Sequence, residues 1–126
     1  MGKSSLCLLA FLAVLAIGAA EDLYADTYDH IEPMEILNND ELRNQYYNCV
    51  MNTGPCMSDE QRFLKEHVAE AMATRCRRCT ERQKDGLEKV VVWYTENRPE
   101  EWSALVVHLI EEAKKQNITP VSGGFI

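Results

Sequence analysis

The chain has 126 residues, with 13 basic and 20 acidic side chains and a net charge of −7 at neutral pH. An acidic chain of this kind lacks the basic footprint that nucleic acid or an anionic membrane surface requires. Its length is that of one domain after an N-terminal leader is set aside.

The leader is residues 1–20. Lys3 supplies a positive start, Leu6 to Ile17 an apolar stretch, and Gly18-Ala19-Ala20 the small residues of a cleavage site, so the expected mature chain is 21–126. The apolar stretch is shorter than the roughly 20 residues that span a bilayer. Cleavage removes Cys7, leaving an even set of four cysteines in an oxidising compartment. It also removes Lys3, so 13 basic residues become 12 against the same 20 acidic ones, or −8. Such a charge favours solubility at high concentration.

Glu21 to Glu32 reads as an acidic, extended lead-in carrying Tyr24 and Tyr28. Pro33 suits the first position of a short helix through Leu37. Asn38 or Asn39 caps a second helix, Asp40 to Met51, on which Leu42, Tyr46, Cys49 and Val50 share one face. Asn52-Thr53-Gly54-Pro55 stops it, with Gly54 the residue suited to positive φ. Ser58-x-x-Gln61 has the form of a capping box for a third helix, whose stripe is Leu64, Val68, Ala71 and Met72 with Phe63 at the edge. Arg75, Arg77 and Arg78 are expected at its negative end.

The fourth helix is predicted over about Thr80 to Asn97. Leu87, Val90, Val91 and Tyr94 form its stripe, widened by Val92 and Trp93, and Gly86 is a weak point costing about 1 kcal/mol against Ala. Val90 to Tyr94 alone could pass for a strand, but the flanking charges and the 3.6-residue period favour helix. Pro99 opens a fifth helix to about Lys115, with Trp102, Leu105, Val106, Leu109, Ile110 and Ala113 in helical register. Asn117-Ile118-Thr119 has the form of a glycosylation sequon, followed by Pro120. Val121 to Ile126 reads as a loose tail.

The four remaining cysteines frame the third helix as Cys49-x6-Cys56-x19-Cys76-x2-Cys79. Four cysteines allow three pairings, and sequence alone does not choose. A helix of about 17 residues is about 25 Å long, whereas bridged cysteines need Cα atoms within about 7 Å. The local bridges Cys49–Cys56 and Cys76–Cys79 are therefore favoured. Each contributes about 2 to 2.5 kcal/mol in the chain-entropy model. With helix ends clamped in this way, part of the core can stay hollow.

Other chemistry is poorly supported. The six-residue spacer does not suit a zinc site. The Cys76-Arg77-Arg78-Cys79 sequence could activate a thiol, but redox motifs of this form sit beside a βαβ pattern that is not visible here. His30, His67 and His108 are scattered, and no serine or cysteine lies in a nucleophile motif. No enzyme activity, metal or other cofactor is expected.

The cysteine spacing with Gly54-Pro55, the flanking Tyr28-Asp29-His30-Ile31 and Glu35-Ile36-Leu37-Asn38-Asn39, then Gln83-Lys84, Lys89-Val90 and Pro99-x-x-Trp102-x-x-Leu105, resembles the insect chemosensory proteins over about Leu23 to Leu105. The resemblance implies a small, secreted, all-helical carrier of long apolar molecules. Two departures stand out. The middle spacer is nineteen residues where the family has eighteen. The family's Lys-Tyr-Asp-Pro and aromatic sixth helix are also missing, so the far wall is either closed by the extended fifth helix or left open.

The expected fold is all-α: a compact bundle of five to six helices with an internal hydrophobic channel and two local disulfides. In the family, the tyrosines at the positions of Tyr28 and Tyr46 and the tryptophan at Trp102 line the channel. Leu42, Val68, Leu87, Val91 and Leu105 are wall residues inferred from the helix stripes. Tyr94 joins them as an apolar body with a polar tip. Met34, Met51 and Met72 could let the wall repack around different chains. The expected partner is a small apolar ligand, bound by a monomer without membrane insertion. The other reading is a secreted signalling or developmental factor that acts through its surface.

Overall fold

The computed structural model describes residues 22–126; the leader lies outside them. Five helices follow in order: α1 Pro33–Leu37, α2 Asp40–Val50, α3 Asp59–Ala73, α4 Glu81–Asn97 and α5 Pro99–Lys115. Their starts follow local chemistry. The Asn39 side chain accepts from Leu42 N–H, and Ser58 accepts from Gln61 N–H. Thr80 and Gln83 form a reciprocal capping box. The box read at Ser58 is only half made, because the Gln61 side chain turns back to accept from Met57 N–H at 2.8 Å. The Val90–Tyr94 stretch is helical, but Val92 is 53% exposed and does not widen the buried stripe.

Three helix ends use a left-handed residue to return amides to the last carbonyls. At the end of α2, Asn52 takes φ 61°, and the N–H groups of Asn52 and Thr53 donate to Cys49 and Asn48 carbonyls. The positive φ expected at Gly54 thus falls on Asn52, whose short polar side chain tolerates it. Gly54 meets a different need: a Cβ there would lie 3.1 Å from Asn48 Cβ. Arg75 and Cys76 turn left-handed after α3, and Asn117 after α5. Helix α3 stops at Ala73, short of the arginines expected in its last turn.

Packing runs in a closed circuit. Helix α1 lies on α2, α2 on α3, α3 on α5, α5 on α4 and α4 on α1; among the described residues no other pair of helices brings its backbones together, and only side chains reach across. Where α4 receives α1, Gly86 leaves room for Pro33; an added Cβ would lie 3.1 Å from the proline ring. Glycine is therefore a close-approach residue here as well as a helix-weakening one. One end of the ring is filled by Val50, Val68, Ala69, Met72, Leu105 and Leu109. The bridges are local, with Cα separations of 4.6 Å for Cys49–Cys56 and 5.0 Å for Cys76–Cys79. Each ties one end of α3 to the chain beside it.

Both the lead-in, read as extended, and the tail, read as loose, are anchored. In the lead-in, Tyr24 is buried and its N–H donates to Arg78 carbonyl at 2.7 Å. Gln83 Nε2 donates to Ala25 carbonyl and to Asp29 Oδ1. The tail is not loose either. Val121 N–H donates to Ala73 carbonyl at 2.9 Å and Phe125 N–H to Met72 carbonyl at 3.0 Å. With Thr74 N–H on Glu70 and Cys76 N–H on Ala71, all four terminal carbonyls of α3 have donors. Phe125 and Ile126 then pack against the filled end of the ring. The tail thereby covers part of the packed end.

Candidate functional site

Helices whose backbones approach only their ring neighbours leave a middle that side chains must fill or leave open. Bordering the packed end, and sharing Val50, Val68 and Leu105 with it, lies a cavity of about 250 Å³, partly open to solvent and bounded mostly by apolar atoms. All five helices and the lead-in contribute. Helix α1 supplies Ile36 and Leu37, and α2 supplies Arg43, Tyr46, Tyr47 and Val50. Phe63, Leu64, His67, Val68 and Ala71 come from α3, and Leu105 alone from α5. Along α4 the lining runs from Arg82 and Gln83 through Leu87 and Val90 to Tyr94. From Gln83 to Tyr94 is about 16 Å at 1.5 Å per residue, so the cavity is elongated along α4.

The expected wall residues separate into two groups. Tyr28, Tyr46, Val68, Leu87, Tyr94 and Leu105 line the cavity. Trp102 and Val91 are instead half-buried against the packed end, where the Trp102 ring lies 6.3 Å from that of Tyr94. Leu42 is half-buried and outside the lining. Met34, Met51 and Met72 are also outside it, with Met72 fully buried in the packed end.

The reason for the Leu42 displacement is angular. The face of α2 turned inward is Arg43, Tyr46, Tyr47 and Val50, at i, i+3, i+4 and i+7. This face is one residue away from the stripe chosen on hydrophobicity, because an arginine stands first in it. Tyr47 stacks on Tyr94 with ring centroids 6.1 Å apart, and its hydroxyl donates to Glu101 carbonyl at 2.9 Å. Tyr24, Ile31 and Ile36 are further lining residues that periodicity did not select, and Phe63, read at the edge of the α3 stripe, joins them. The apolar pair in the short α1 was the one available signal for Ile36.

The tyrosines stay neutral in this wall. Burial, then the nearby Glu101 carboxylate, pushes the Tyr94 phenol up to about 12. Burial also raises Tyr46 and Tyr47, reinforced by Glu60 and Glu101 respectively. Tyr24 is raised by burial and by its 2.6 Å hydrogen bond to Glu70.

The polar groups differ in how well they are satisfied. At the Gln83 end, Asp29 accepts from Thr80 and Gln83, and Arg82 donates to Asp29 carbonyl and Glu32. At the Tyr94 end stands Arg43, only 5% exposed. Its Nη1 donates to Leu37 carbonyl at 2.8 Å and pairs with Asp40 at 2.9 Å. Its guanidinium carbon lies 4.7 Å from the Trp93 ring centre. Its Nε is buried without a hydrogen-bond partner, alone in that respect among the described side chains. An orphaned donor of this kind costs about 1 to 3 kcal/mol. Among the described residues no three His, Cys, Asp or Glu side chains group to hold a metal ion.

Comparison with known proteins gives the same architecture. Residues 24–117 match the profile of the insect pheromone-binding family, A10/OS-D. The chain is 40% identical over 98 residues to ejaculatory bulb-specific protein 3 of Drosophila melanogaster, covering 75% of this chain and 77% of that one. It is 34% identical over 103 residues to allergen Tha p 1 of Thaumetopoea pityocampa, covering 81% of each chain. Among solved structures, a chemosensory protein in complex with bromo-dodecanol superposes with a TM-score of 0.66 at 37% identity, over 75% of this chain and 93% of that one. Antennal chemosensory protein A6 of the moth Mamestra brassicae gives 0.57 at 35% identity, over 79% of this chain and 100% of that one. The chain belongs to the insect pheromone-binding family A10/OS-D, the secreted, all-helical chemosensory proteins.

Proposed function

We propose that the protein carries one long-chain apolar molecule through extracellular fluid, held in the open half of its helical ring. The observation that carries this reading is the elongated apolar cavity of about 250 Å³ at the centre of a circuit of helices. An apolar cavity of about 150 Å³ already takes up benzene, so this one has room for more. The solved relative that holds bromo-dodecanol supports a chain-like occupant. Burying a twelve-carbon chain yields roughly 10 kcal/mol gross at about 0.8 kcal/mol per CH₂. Association and ordering reduce that figure, and a net value near 8 kcal/mol corresponds to about micromolar affinity. Transport of this kind needs no covalent step.

The test is a titration of the protein with primary alcohols of increasing length, followed by tryptophan fluorescence. Trp93 touches Tyr94, a lining residue, and Trp102 lies beside the same ring. Saturable changes whose affinity climbs with each added carbon, then levels off when the cavity is full, are expected. A flat response at every length would remove the carrier reading and favour a protein that acts through its surface.

A further inference from the structure

The two polar ends of the cavity are not equivalent, and the difference selects an end for the ligand's head. At the Gln83 end the acceptors and donors of Asp29, Arg82 and Gln83 are engaged with one another and with Thr80, Ala25 and Glu32. A ligand head placed there would compete with bonds already made. At the other end, Arg43 lines the cavity at 5% exposure with an Nε that has no acceptor. Its remaining contacts hold the guanidinium in place: Leu37 carbonyl and Asp40 on Nη1, and the Trp93 ring against its face. A fixed, desolvated donor gains more from a partner than a mobile, hydrated one.

We infer that Arg43 is the head-group anchor of this cavity: its guanidinium donates to an oxygen of a long-chain ligand, a carboxylate ahead of a hydroxyl. This inference rests on the carrier reading above and names the end and the chemistry of its ligand. A carboxylate is preferred because it is itself charged, adding a Coulomb attraction to the guanidinium that a hydroxyl lacks. Asp40, the carboxylate already paired with Arg43, does not fill this role, since it meets Nη1 and its side chain is 84% exposed. The apolar tail would then run along α4, past Val90 and Leu87, toward Gln83. The protein's overall negative charge opposes an anion at long range but is screened beyond about a Debye length. The local guanidinium acts at contact distance.

Calorimetric titration of the full secreted chain with dodecanoate and with dodecan-1-ol tests this, in the native protein and in Arg43→Met, which keeps an unbranched stem and removes the donors. The native protein is expected to bind dodecanoate about tenfold tighter than the alcohol. Arg43→Met is expected to erase that preference, lowering the affinity for dodecanoate more than that for the alcohol. Unchanged dodecanoate affinity in the variant, or an equal fall for both ligands, overturns the anchor and leaves the carrier reading standing. If the native protein binds neither chain, both readings go.

Should Arg43→Met fail to fold, dodecanoic acid labelled at its carboxyl carbon is titrated on the native protein by NMR. A bound carboxyl that ionises at lower pH than the free acid supports the anchor. One that ionises at higher pH sits in apolar surroundings without the guanidinium and overturns it.

Discussion

Arg43 shows why a residue-level reading of α2 missed part of its inward face, although Tyr46, Cys49 and Val50 of the stripe are lining or buried. Charge is ordinarily a sign of solvent, so the stripe was drawn through Leu42. The buried face instead begins with an arginine that a backbone carbonyl, a carboxylate and an indole ring together hold in place. Asp40 is three positions away on the same helix, but the indole could not be recognised from neighbouring positions, since Trp93 is fifty residues away in the chain. Tyr46 and Tyr94 were accessible to sequence reasoning because an apolar ring with a polar tip suits a cavity wall wherever it is placed.

Their ionisation makes a prediction. Burial holds Tyr94 at about 12 against an ordinary 10.0, and Tyr46 and Tyr47 are raised in the same direction. A phenol with a raised folded-state pKa contributes stability that is complete below the unfolded-state value and disappears as pH rises through the folded one. Urea unfolding at a series of alkaline pH values is therefore expected to show stability falling from about pH 10 toward about pH 12, with tyrosinate absorbance appearing late. An unfolding midpoint that stayed constant across that range would contradict the buried neutral phenols.

At the scale of elements, helix starts were readable to within a residue, because caps act through neighbours three positions away. Asn39, Ser58 and Thr80 all cap where their chemistry places them. The end of α3 and the tail were less readable. The Gly123-Gly124 sequence carries no periodicity, yet it lets the chain turn back onto α3, with Gly123 at φ +82°. A Cβ on Gly124 would stand 3.0 Å from Ala73 carbonyl oxygen and 3.2 Å from that of Met72, backbone atoms with little freedom to retreat.

Gly124→Ala is accordingly expected to lower stability by about 1 to 3 kcal/mol, from strain and displaced tail hydrogen bonds, as read by urea unfolding. A midpoint equal to native would mean that the tail contributes little. Removing either bridge, by Cys49→Ser with Cys56→Ser or by Cys76→Ser with Cys79→Ser, is expected to cost about 2 to 2.5 kcal/mol in the same measurement.

For the molecule as a whole, the consequence of the ring is a cavity that folding leaves open and a ligand can occupy. Binding to the folded state alone stabilises by about 2.7 kcal/mol at a concentration of 100 Kd. For a chain of this size that raises the melting temperature by about 10 °C. Differential scanning calorimetry with dodecan-1-ol checks the figure. Filling the cavity from within gives the complementary outcome. Leu87→Trp, on the lining face of α4, is expected to weaken chain binding at least tenfold while helix content by circular dichroism stays native. Undiminished binding would place the ligand elsewhere.

From the sequence by itself came the helices, their caps and the local pairing of the four cysteines. It also carried the family resemblance, through short spacings such as Cys76-x2-Cys79 and Pro99-x-x-Trp102. These depend on interactions within a turn or two of helix, which the order of residues encodes directly. The tertiary structure alone decided which side of each helix faces the hollow. It also decided that Trp102 supports the packed end without lining the cavity, that the tail caps α3, and that Arg43 keeps a buried N–H unpaired. Inside and outside on a ring are set by neighbours distant in the chain, and a helical period reports only that a buried side exists.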